Sequence, residues 1–357
     1  MRIKKKILVA LSGGVDSAVS AALLKKQGFD VFGAYFCFFD GVGTKKSLDK
    51  AKKVAKSLDI EVKIVDARKE FKKKVIDYFI DSYKNGITPN PCVICNKEMK
   101  FRLLFDLMKE IEADFIATGH YARLRCERKT KNAKCKAKEE FAFKLLEAQD
   151  KTKDQSYFLY KLTQKELSKT IFPLGELKKT EVNKLAKKFK LPVFGDEESQ
   201  DVCFLANSDI NKFLRKNIKP KLGNIVDEKG NILARHKGLP FYTIGQRKGI
   251  EIGGTGPYFV ISKDSKKNQL IVSNDPKQLI SKKFFVNKIN WINKTIKFPL
   301  SVQIQIRYHA EKISAIIKKS KKGEYSIETA KPLRAVTKGQ SAVFCKNREV
   351  LGGGVIV

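Results

Sequence analysis

Two kinds of residue in this sequence have types and spacing suited to chemistry: a glycine-rich turn and a group of cysteines. The turn is the run SGGVDS at residues 12–17, which follows the apolar stretch 7–9. Glycines let backbone N–H groups converge on an anion, and a following helix offers the positive end of its dipole to the same anion. The run therefore predicts a phosphate-binding turn between a strand and a helix.

The end of this turn indicates which phosphate chemistry it supports. A Walker A loop has Lys followed by Ser or Thr after its last glycine, whereas this turn has Asp16 and Ser17. A carboxylate here would repel a phosphate unless a divalent cation lay between them, so we expect ATP bound with Mg2+ through Asp16. SGGVDS resembles the signature of the ATP pyrophosphatase superfamily, which implies cleavage of ATP between its α and β phosphates and adenylation of a carbonyl oxygen. The alternative is a glycine turn that binds no ligand.

The cysteines form the second candidate group. Cys95 lies at the predicted start of a helix over 96–111, where the helix dipole, Lys97 and Lys100 would favour its thiolate form. A buried, inert Cys95 is the alternative. Cys203 lies in a polar stretch before a short predicted helix. Two reactive thiols beside an ATP-dependent activating site suggest sulfur transfer, in which one cysteine carries a persulfide and the other helps to release the sulfur by forming a disulfide.

The same cysteines allow a second interpretation. Cys92 and Cys95 form a Cys-x-x-Cys pair, and with the distant Cys203 they would supply three thiolates to an iron–sulfur cluster. We favour the persulfide relay over the cluster. The sequence predicts no other metal site with certainty.

The elements that must position these residues alternate along the first 122 residues. Strands are predicted at 7–11, 31–39, 61–65 and 115–117, with helices at 18–27, 45–58 and 96–111. This alternation is typical of an α/β fold with a doubly wound parallel sheet, whose ligands bind at the carboxyl ends of the strands. Residues 123–140 interrupt the pattern with eight Lys or Arg against three Glu, which predicts a basic surface loop.

The remainder of the chain is richer in glycine and in strand-like alternation. Residues 1–214 are predicted to form the catalytic domain, residues 215–279 a small β-rich central domain, and residues 280–357 an all-β C-terminal barrel or sandwich placed to contact RNA. A chain of 357 residues is long enough for two or three such cores.

The composition bounds the partners and the compartment. Lys and Arg number 73 against 38 Asp and Glu, and a net charge of +35 predicts a polyanionic partner, unless it reflects a general lysine bias. Seven cysteines without a secretory signal predict reduced thiols in a cytoplasmic protein. No apolar run approaches the roughly 20 residues of a membrane span, so we expect a soluble protein without a membrane partner.

Six motifs follow one another in an order that resembles the tRNA-specific 2-thiouridylase family. They are SGGVDS (12–17), NPCVICNKEMKF (90–101), ATGHYAR (117–123), KDQSYFL (153–159), Cys203-Phe204 and YTIGQRKG (242–249). The resemblance implies an adenine nucleotide alpha-hydrolase-like domain, a small central domain and a β-barrel. It also implies the activity: the C2 oxygen of uridine 34 in Lys, Glu and Gln tRNAs is adenylated by ATP, and sulfur from a cysteine persulfide replaces it as AMP leaves.

The resemblance assigns roles to residues of this sequence by motif. It implies ATP contacts at Ala10, Leu11, Ser12, Gly13, Gly14, Val15, Asp16, Ser17, Phe36 and Gly119. It implies tRNA contacts at Asn90, Pro91, Cys92, His120, Lys153, Asp154, Gln155, Arg307, Tyr308 and Gln340. Cys95 corresponds to the family's nucleophile, and Cys203 to the cysteine that accepts persulfide sulfur from a relay protein or a cysteine desulfurase.

One position departs from the pattern of some family members. They have Asp where this chain has Cys92, and that carboxylate is proposed to shuttle protons, so here the role is vacant or falls to water. Two other functions stay open from sequence: a synthetase that adenylates a small metabolite, and a nonenzymatic RNA-binding protein that senses ATP. The first needs no persulfide cysteines, and the second releases no AMP.

Overall fold

We describe the chain in a computed structural model that covers residues 4–129, 140–195, 202–205, 209–250, 252–253, 256–293, 296–320 and 323–357. The first sheet has five parallel strands in the order β3-β2-β1-β4-β7. These strands are β1 Lys6–Ala10, β2 Asp30–Cys37, β3 Val62–Asp66, β4 Phe115–Ala117 and β7 Thr170–Ile171. The strand order reverses between β1 and β4, which is the point where doubly wound sheets open a crevice for ligands.

Helices cover both faces of this sheet, as expected for a continuous apolar strand such as β1. Ile7 and Val9 pack into one buried cluster, whereas Leu8 between them packs into another on the opposite face. The helices are α1 Val15–Lys26, α2 Val42–Ser57, α3 Arg68–Phe71, α4 Asp77–Lys84, α5 Pro91–Ile94, α6 Arg102–Glu110, α7 Gln164–Leu167, α8 Lys179–Lys188 and α9 Ile210–Asn217. Two π-helical segments, Lys72–Ile76 and Cys95–Phe101, join α3 to α4 and α5 to α6. The prediction of an α/β doubly wound domain is confirmed.

A four-stranded sheet forms the central part of the chain. Its order is β10-β11-β8-β9, with β8 Gly223–Val226, β9 Ile232–His236, β10 Phe259–Asp264 and β11 Gln269–Ser273. Its buried residues pack against Phe79, Ile80 and Tyr83 of α4. This contact attaches the central sheet to the helix that precedes the cysteine motif.

The last sheet has eight strands and closes on itself through an additional pairing of β12 with β17. Its C-terminal strands are β12 Ile280–Trp291, β13 Leu300–Gln305, β14 Ile313–Lys319, β15 Tyr325–Arg334, β16 Ser341–Lys346 and β17 Glu349–Ile356. Its two other strands are β5 Ala122–Lys129 and β6 Glu140–Glu147, which come from the N-terminal half of the chain. The predicted C-terminal barrel is confirmed, and a hairpin from the catalytic part extends its sheet.

The prediction of a basic loop over 123–140 is wrong for the described part of that segment. Residues 122–129 pair with residues 140–147 as an antiparallel hairpin, with Ala122 opposite Glu147 and Lys129 opposite Glu140. The sequence does contain a strand pattern here, because Leu124 and Cys126 alternate with charged neighbours. A strand with one solvated face accepts charges at every second position. Residues 130–139 lie outside the described residues.

Within the described residues, no helix combines the length and the apolarity needed to cross a membrane.

Candidate active site

The glycine turn lies between β1 and α1, at the strand end that faces the crevice. The Ser17 hydroxyl donates to the Gly14 carbonyl over 2.9 Å and accepts the Ser12 N–H over 3.1 Å. Gly14 is the N-cap of α1, and no side chain caps that helix end. The backbone N–H groups of the first turn are therefore left for an anion, as the sequence predicts.

Two glycines in this region are required by close packing. Gly13 has φ +81°, and a β carbon on it would lie 2.2 Å from the Ser47 carbonyl oxygen. Gly119, which follows β4, would place a β carbon 2.9 Å from the Ser17 nitrogen and 3.0 Å from the Asp16 carbonyl carbon. The segment that follows β4 thus packs directly against the glycine turn. Phe36 lies near the end of β2, the strand that pairs with β1 on its other side.

Asp16 is already engaged by two side chains from later in the sequence. Its Oδ1 accepts a hydrogen bond from the Tyr121 hydroxyl over 2.8 Å and forms an ion pair with Lys179 Nζ over 2.7 Å. Lys179 begins α8, which packs against α1. A carboxylate is a suitable ligand for Mg2+, and Oδ2 accepts no hydrogen bond from the described residues. The arrangement fits a Mg2+ ion at Oδ2, with Lys179 supplying a second positive charge for phosphate.

The cysteine motif lies on one continuous helical run rather than at a helix start. The run begins at Pro91 with Asn90 as its N-cap, and Cys95 lies one turn further on, where a π-helical segment begins. Cys95 is 6% exposed and packs among Phe71, Val75 and Met99. The structure therefore favours the alternative of a buried Cys95 over an accessible thiol at a helix start, because Pro91 starts the helix and is itself buried.

Burial has a larger effect on the pKa values of the three thiols than the helix dipole has. It raises the pKa of Cys95 to about 12, and it raises the pKa of Cys92 and Cys203 above their usual values. The Lys100 ammonium counteracts this effect at all three thiols. The expected thiolate at Cys95 is thus not the resting form at neutral pH. Lys97, the other cation invoked from sequence, is instead paired with Glu166 over 2.6 Å.

The structure brings Cys203 to Cys92 and Cys95 across more than 100 residues of sequence. Charge on Cys203 raises the pKa of both other thiols, which places it near each of them. Cys203 lies in a short 3-10 helix and is exposed as a residue, although its thiol is desolvated enough to raise its pKa, whereas Cys92 is half-buried. The next residue, Phe204, anchors this segment, because its ring contacts Phe71 at 6.0 Å and Phe79 at 5.3 Å between centroids.

A row of aromatic rings connects the nucleotide side of the site to these thiols. Phe36 stacks near Phe38 at 6.0 Å, Phe38 stacks on Phe71 at 5.0 Å, and Phe71 contacts Phe204. The row begins at the predicted ATP contact and ends beside Cys203. These ring contacts link the strand that carries Phe36 to the segment that carries Cys203.

The three thiols do not form a ready metal site in the described part of the chain. No three His, Cys, Asp or Glu side chains there are grouped closely enough to hold a metal ion. The described residues do not fit the iron–sulfur alternative, and we derive no step through a cluster.

His120 is a neutral ring just beyond the end of β4. Burial, aided by Lys100, lowers the pKa of His120 to about 3. Its ring stacks on Phe101 at 6.1 Å and meets Phe172 edge-on at 6.4 Å, and its Nδ1 lies 2.9 Å from the Thr118 hydroxyl. A neutral imidazole can stack or form a hydrogen bond but cannot attract phosphate by charge. This limits how His120 can contact RNA.

The segment 153–155 supports the nucleotide turn. The Gln155 side chain accepts the Tyr121 N–H over 3.1 Å, and the Gln155 N–H donates to the Tyr121 carbonyl over 2.8 Å. Asp154 accepts the Ala148 N–H over 2.9 Å and the Ser156 hydroxyl over 2.9 Å, and burial raises the pKa of Asp154. Both side chains hold the backbone in place, whereas Lys153 is half-buried nearby.

The predicted RNA contacts of the barrel adjoin the cysteine motif. Gln340 Nε2 donates to the carbonyls of Thr88 and Pro89 over 3.1 and 3.0 Å, just before Asn90. The Tyr308 ring packs on Phe158 at 4.5 Å, and Arg307 hydrogen-bonds to the carbonyl of Ala335. Gln340 therefore ties the barrel to the loop that leads into the helix of Cys92, a contact that its sequence neighbourhood does not reveal.

Sequence reasoning left three residues of the site without an assigned role. Tyr121 and Lys179 hold Asp16, and the signal for Tyr121 was its place inside the motif ATGHYAR. Lys100 was considered only as a neighbour of Cys95, because helical spacing does not show that it also faces Cys203 and His120.

Comparisons with known proteins agree with this geometry along the whole chain. Residues 5–207 match the tRNA methyl transferase HUP domain, residues 211–274 its PRC-barrel domain, and residues 281–356 the aminomethyltransferase beta-barrel domain. A tRNA-specific 2-thiouridylase from Halothermothrix orenii is 40% identical over 364 residues, covering 98% of each chain. That of Syntrophomonas wolfei is 39% identical over 352 residues, covering 98% of this chain and 99% of the relative.

Among solved structures, a U34-tRNA thiolase from Methanococcus maripaludis is 23% identical to this chain. The similarity covers 60% of this chain and 66% of that one, with a TM-score of 0.36. The curated relatives, in contrast, match from end to end at 38–40% identity. The chain belongs to the tRNA-specific 2-thiouridylase family.

Proposed function

We propose that this protein is a tRNA-uridine 2-sulfurtransferase that converts the wobble uridine, position 34 of Lys, Glu and Gln tRNAs, to 2-thiouridine with consumption of ATP. The single observation that carries the proposal is the end-to-end match to 2-thiouridylases. The proximity of Cys92, Cys95 and Cys203 to one another and the uncapped helix start at the glycine turn support it. The three functional units are residues 1–214 for catalysis, 215–279 for the central domain and 280–357 for the barrel, which also uses β5 and β6.

The first step is adenylation of the uridine. Ala10 to Ser17, Phe36 and Gly119 bind ATP, and the first-turn N–H groups of α1 hold its phosphates. The C2 oxygen of uridine attacks the α-phosphorus, an O–P bond forms, and pyrophosphate leaves. Mg2+ at Asp16 would neutralise phosphate charge. Lys179 adds a second positive charge to the same place.

The second step replaces oxygen by sulfur. The terminal sulfur of a Cys203 persulfide adds to C2, and the Cys95 sulfur attacks Cys203 Sγ as it gives up its thiol proton, which ends on N3 of the base. The S–S bond of the persulfide breaks, its electron pair stays with the sulfur on C2, and the C2–O bond breaks as AMP leaves. The products are the 2-thio base and a Cys95–Cys203 disulfide, so the two thiols supply the two electrons that the persulfide sulfur accepts. An external thiol must then reduce the disulfide.

The positions of the cysteines suit these roles. Cys203 is exposed, as a residue that receives sulfur from a cysteine desulfurase or relay protein must be. Cys95 is buried behind it, where water does not compete with its attack. Asn90 to Cys92, His120, Lys153 to Gln155, Arg307, Tyr308 and Gln340 lie around the site or hold its walls, where we expect the unstacked base and its neighbours.

A nucleoside analysis tests the function. Unmodified tRNA is incubated with protein, ATP, Mg2+ and a desulfurase with cysteine, and its nucleosides are measured by mass spectrometry while AMP is counted. We expect 2-thiouridine and AMP in equal amounts, and neither without tRNA. AMP release that does not depend on tRNA, with no thiolated nucleoside, would instead indicate a synthetase for a small metabolite.

A further inference from the structure

A cationic pocket lies on the barrel face, at the hairpin that extends the barrel sheet. The cavity has a volume of about 450 Å³ and lies between the β5–β6 hairpin and the β16–β17 turn. Five of its lining residues are cations, namely Arg123, Arg125, Lys144, Lys346 and Arg348, against one acid, Glu349. None of these cations belongs to the predicted ATP or tRNA contacts.

The charges in this pocket are only partly neutralised by the protein. Arg123 pairs with Glu176 at 3.3 Å, and Lys144 pairs with Glu127 at 2.7 Å. Arg125 and Lys346 are exposed and form no ion pair within 4 Å among the described residues, although Glu349 lies near enough to interact with Arg125. The pocket therefore keeps two cations available to an anion from outside.

The register of the hairpin places two of these cations side by side. Arg125 lies directly opposite Lys144 in the β5–β6 pairing. Like charges at directly opposite positions destabilise a sheet, and Glu349, which interacts with both cations and lies 3.6 Å from Lys144 Nζ, offsets part of that cost. The sequence tolerates this pair on the same face as Lys346, which concentrates positive charge there.

The neighbouring β16–β17 turn forms one wall of the pocket. Asn347 and Arg348 have φ values of 50° and 67°, as a two-residue hairpin turn requires. Arg348 is held by the protein itself, because its Nη2 donates to the Ala148 carbonyl over 2.7 Å and its Nε lies 3.9 Å from Glu147 Oε2. The turn therefore fixes the shape of the pocket and leaves its open charge to Arg125 and Lys346.

We propose that this pocket binds the phosphodiester backbone of the tRNA, outside the anticodon bases that enter the active site. The inference rests on the proposed function, which supplies the RNA. Arg125 lies four residues beyond Tyr121, so the strand places it no more than about 13 Å from the residue that holds Asp16. A tRNA whose wobble base occupies the site extends well past that distance.

The test compares two double variants of the full chain. Arg125→Gln with Lys346→Gln removes the two unpaired cations, and Lys282→Gln with Lys331→Gln removes the same charge from exposed positions on β12 and β15. The affinity for full-length tRNA is measured between 50 and 300 mM KCl, conditions where counterion release dominates. Both proteins are first compared with wild type by circular dichroism and thermal unfolding.

We expect the pocket variant to lose about fivefold or more in tRNA affinity at 100 mM salt, and the slope of log affinity against log salt to shrink by about 1 to 2. The control variant should stay close to wild type, and ATP affinity should be unchanged in both. Equal tRNA affinities and slopes in the two variants would overturn the pocket. A second result would also overturn it. If wild type and the control variant bind inorganic pyrophosphate saturably, and the pocket variant loses that binding but keeps its tRNA affinity, the pocket is a small-anion site.

The outcome for the pocket is separate from the outcome for the proposed function. Wild-type protein that makes 2-thiouridine, with a pocket variant that binds tRNA like the control, contradicts the pocket alone. Wild-type protein that makes no 2-thiouridine contradicts the proposed function, whereas the binding comparison still reports on the pocket.

Discussion

Lys179 Nζ lies 2.7 Å from Asp16 Oδ1, so a cation from α8 holds the carboxylate at the end of the glycine turn. The two residues are 163 positions apart in sequence. The pair keeps one negative and one positive side chain at the place where ATP phosphates would lie. It also explains why an acid can occupy a phosphate-binding turn at all.

Asp16→Asn should reduce tRNA-dependent AMP release by about 100-fold or more, because it removes the ligand for Mg2+ and leaves Lys179 without its counter-charge. Tyr121→Phe removes only one hydrogen bond to the same oxygen, worth roughly 0.5–1.5 kcal/mol, and should cost about tenfold at most. Both rates are measured by counting AMP at saturating tRNA. Wild-type AMP release by the Asp16→Asn protein would contradict the role of this carboxylate.

Gly119→Ala should weaken ATP binding by about tenfold or more, because its β carbon would meet the backbone of Ser17 and Asp16 at 2.9–3.0 Å. Gly43→Ala is the matched control, since a β carbon there meets nothing within 4 Å. Titration calorimetry with a nonhydrolysable ATP analogue measures both. If the two variants bind the analogue equally, the end of β4 does not shape the nucleotide site.

The alkylation rate of Cys95 should rise about tenfold per pH unit from pH 7 to pH 9 without a plateau. Burial raises the pKa of Cys95 to about 12, so the reactive thiolate fraction keeps growing across that range. Lys100→Gln should lower the rate further at every pH, because Lys100 opposes the effect of burial. The rate is followed by mass spectrometry of the peptide that carries Cys95 after treatment with iodoacetamide. A plateau below pH 9 would show a thiol with an ordinary pKa.

His120 should make the protein less stable in mild acid. The pKa of His120 is lowered from 6.5 to about 3 in the folded protein. Between these pH values His120 is therefore protonated in the unfolded chain and neutral in the folded protein. Stability from this group is complete above pH 6.5 and is lost as pH falls towards 3. Between pH 7 and pH 5 the loss is about 2 kcal/mol, and His120→Phe should abolish that part of it. Urea unfolding of both proteins at the two pH values measures the difference, and parallel losses would contradict the shift.

The sequence predicts the first sheet well and the site only in part. The apolar run of β1 and the turn at 12–17 carry local signals, and the structure follows them. The hairpin of β5 and β6 was missed because its charges resemble those of a loop, and its place in the barrel depends on β17, which lies 200 residues later. Such long-range pairing leaves no periodicity in a short window.

The reactivity of Cys95 was mispredicted for a related reason. Its neighbours in sequence, Lys97 and Lys100, indicate a thiolate, whereas its neighbours in space, Phe71 and Val75, enforce a thiol. Desolvation is set by residues that the fold brings together, and a sequence window contains few of them. The contact between Gln340 and the loop before Asn90 was hidden for the same reason.

A single-turnover experiment tests the central claim most directly. The protein is loaded with 34S persulfide by a cysteine desulfurase, freed of donor, and mixed with ATP, Mg2+ and unmodified tRNA, beside a Cys203→Ser variant and a Cys126→Ser control whose exposed thiol lies outside the site. We predict 34S-labelled 2-thiouridine, AMP and a Cys95–Cys203 disulfide in equal amounts in the wild-type and Cys126→Ser proteins, and none of them in the Cys203→Ser protein. Labelled 2-thiouridine from the Cys203→Ser protein would contradict the account.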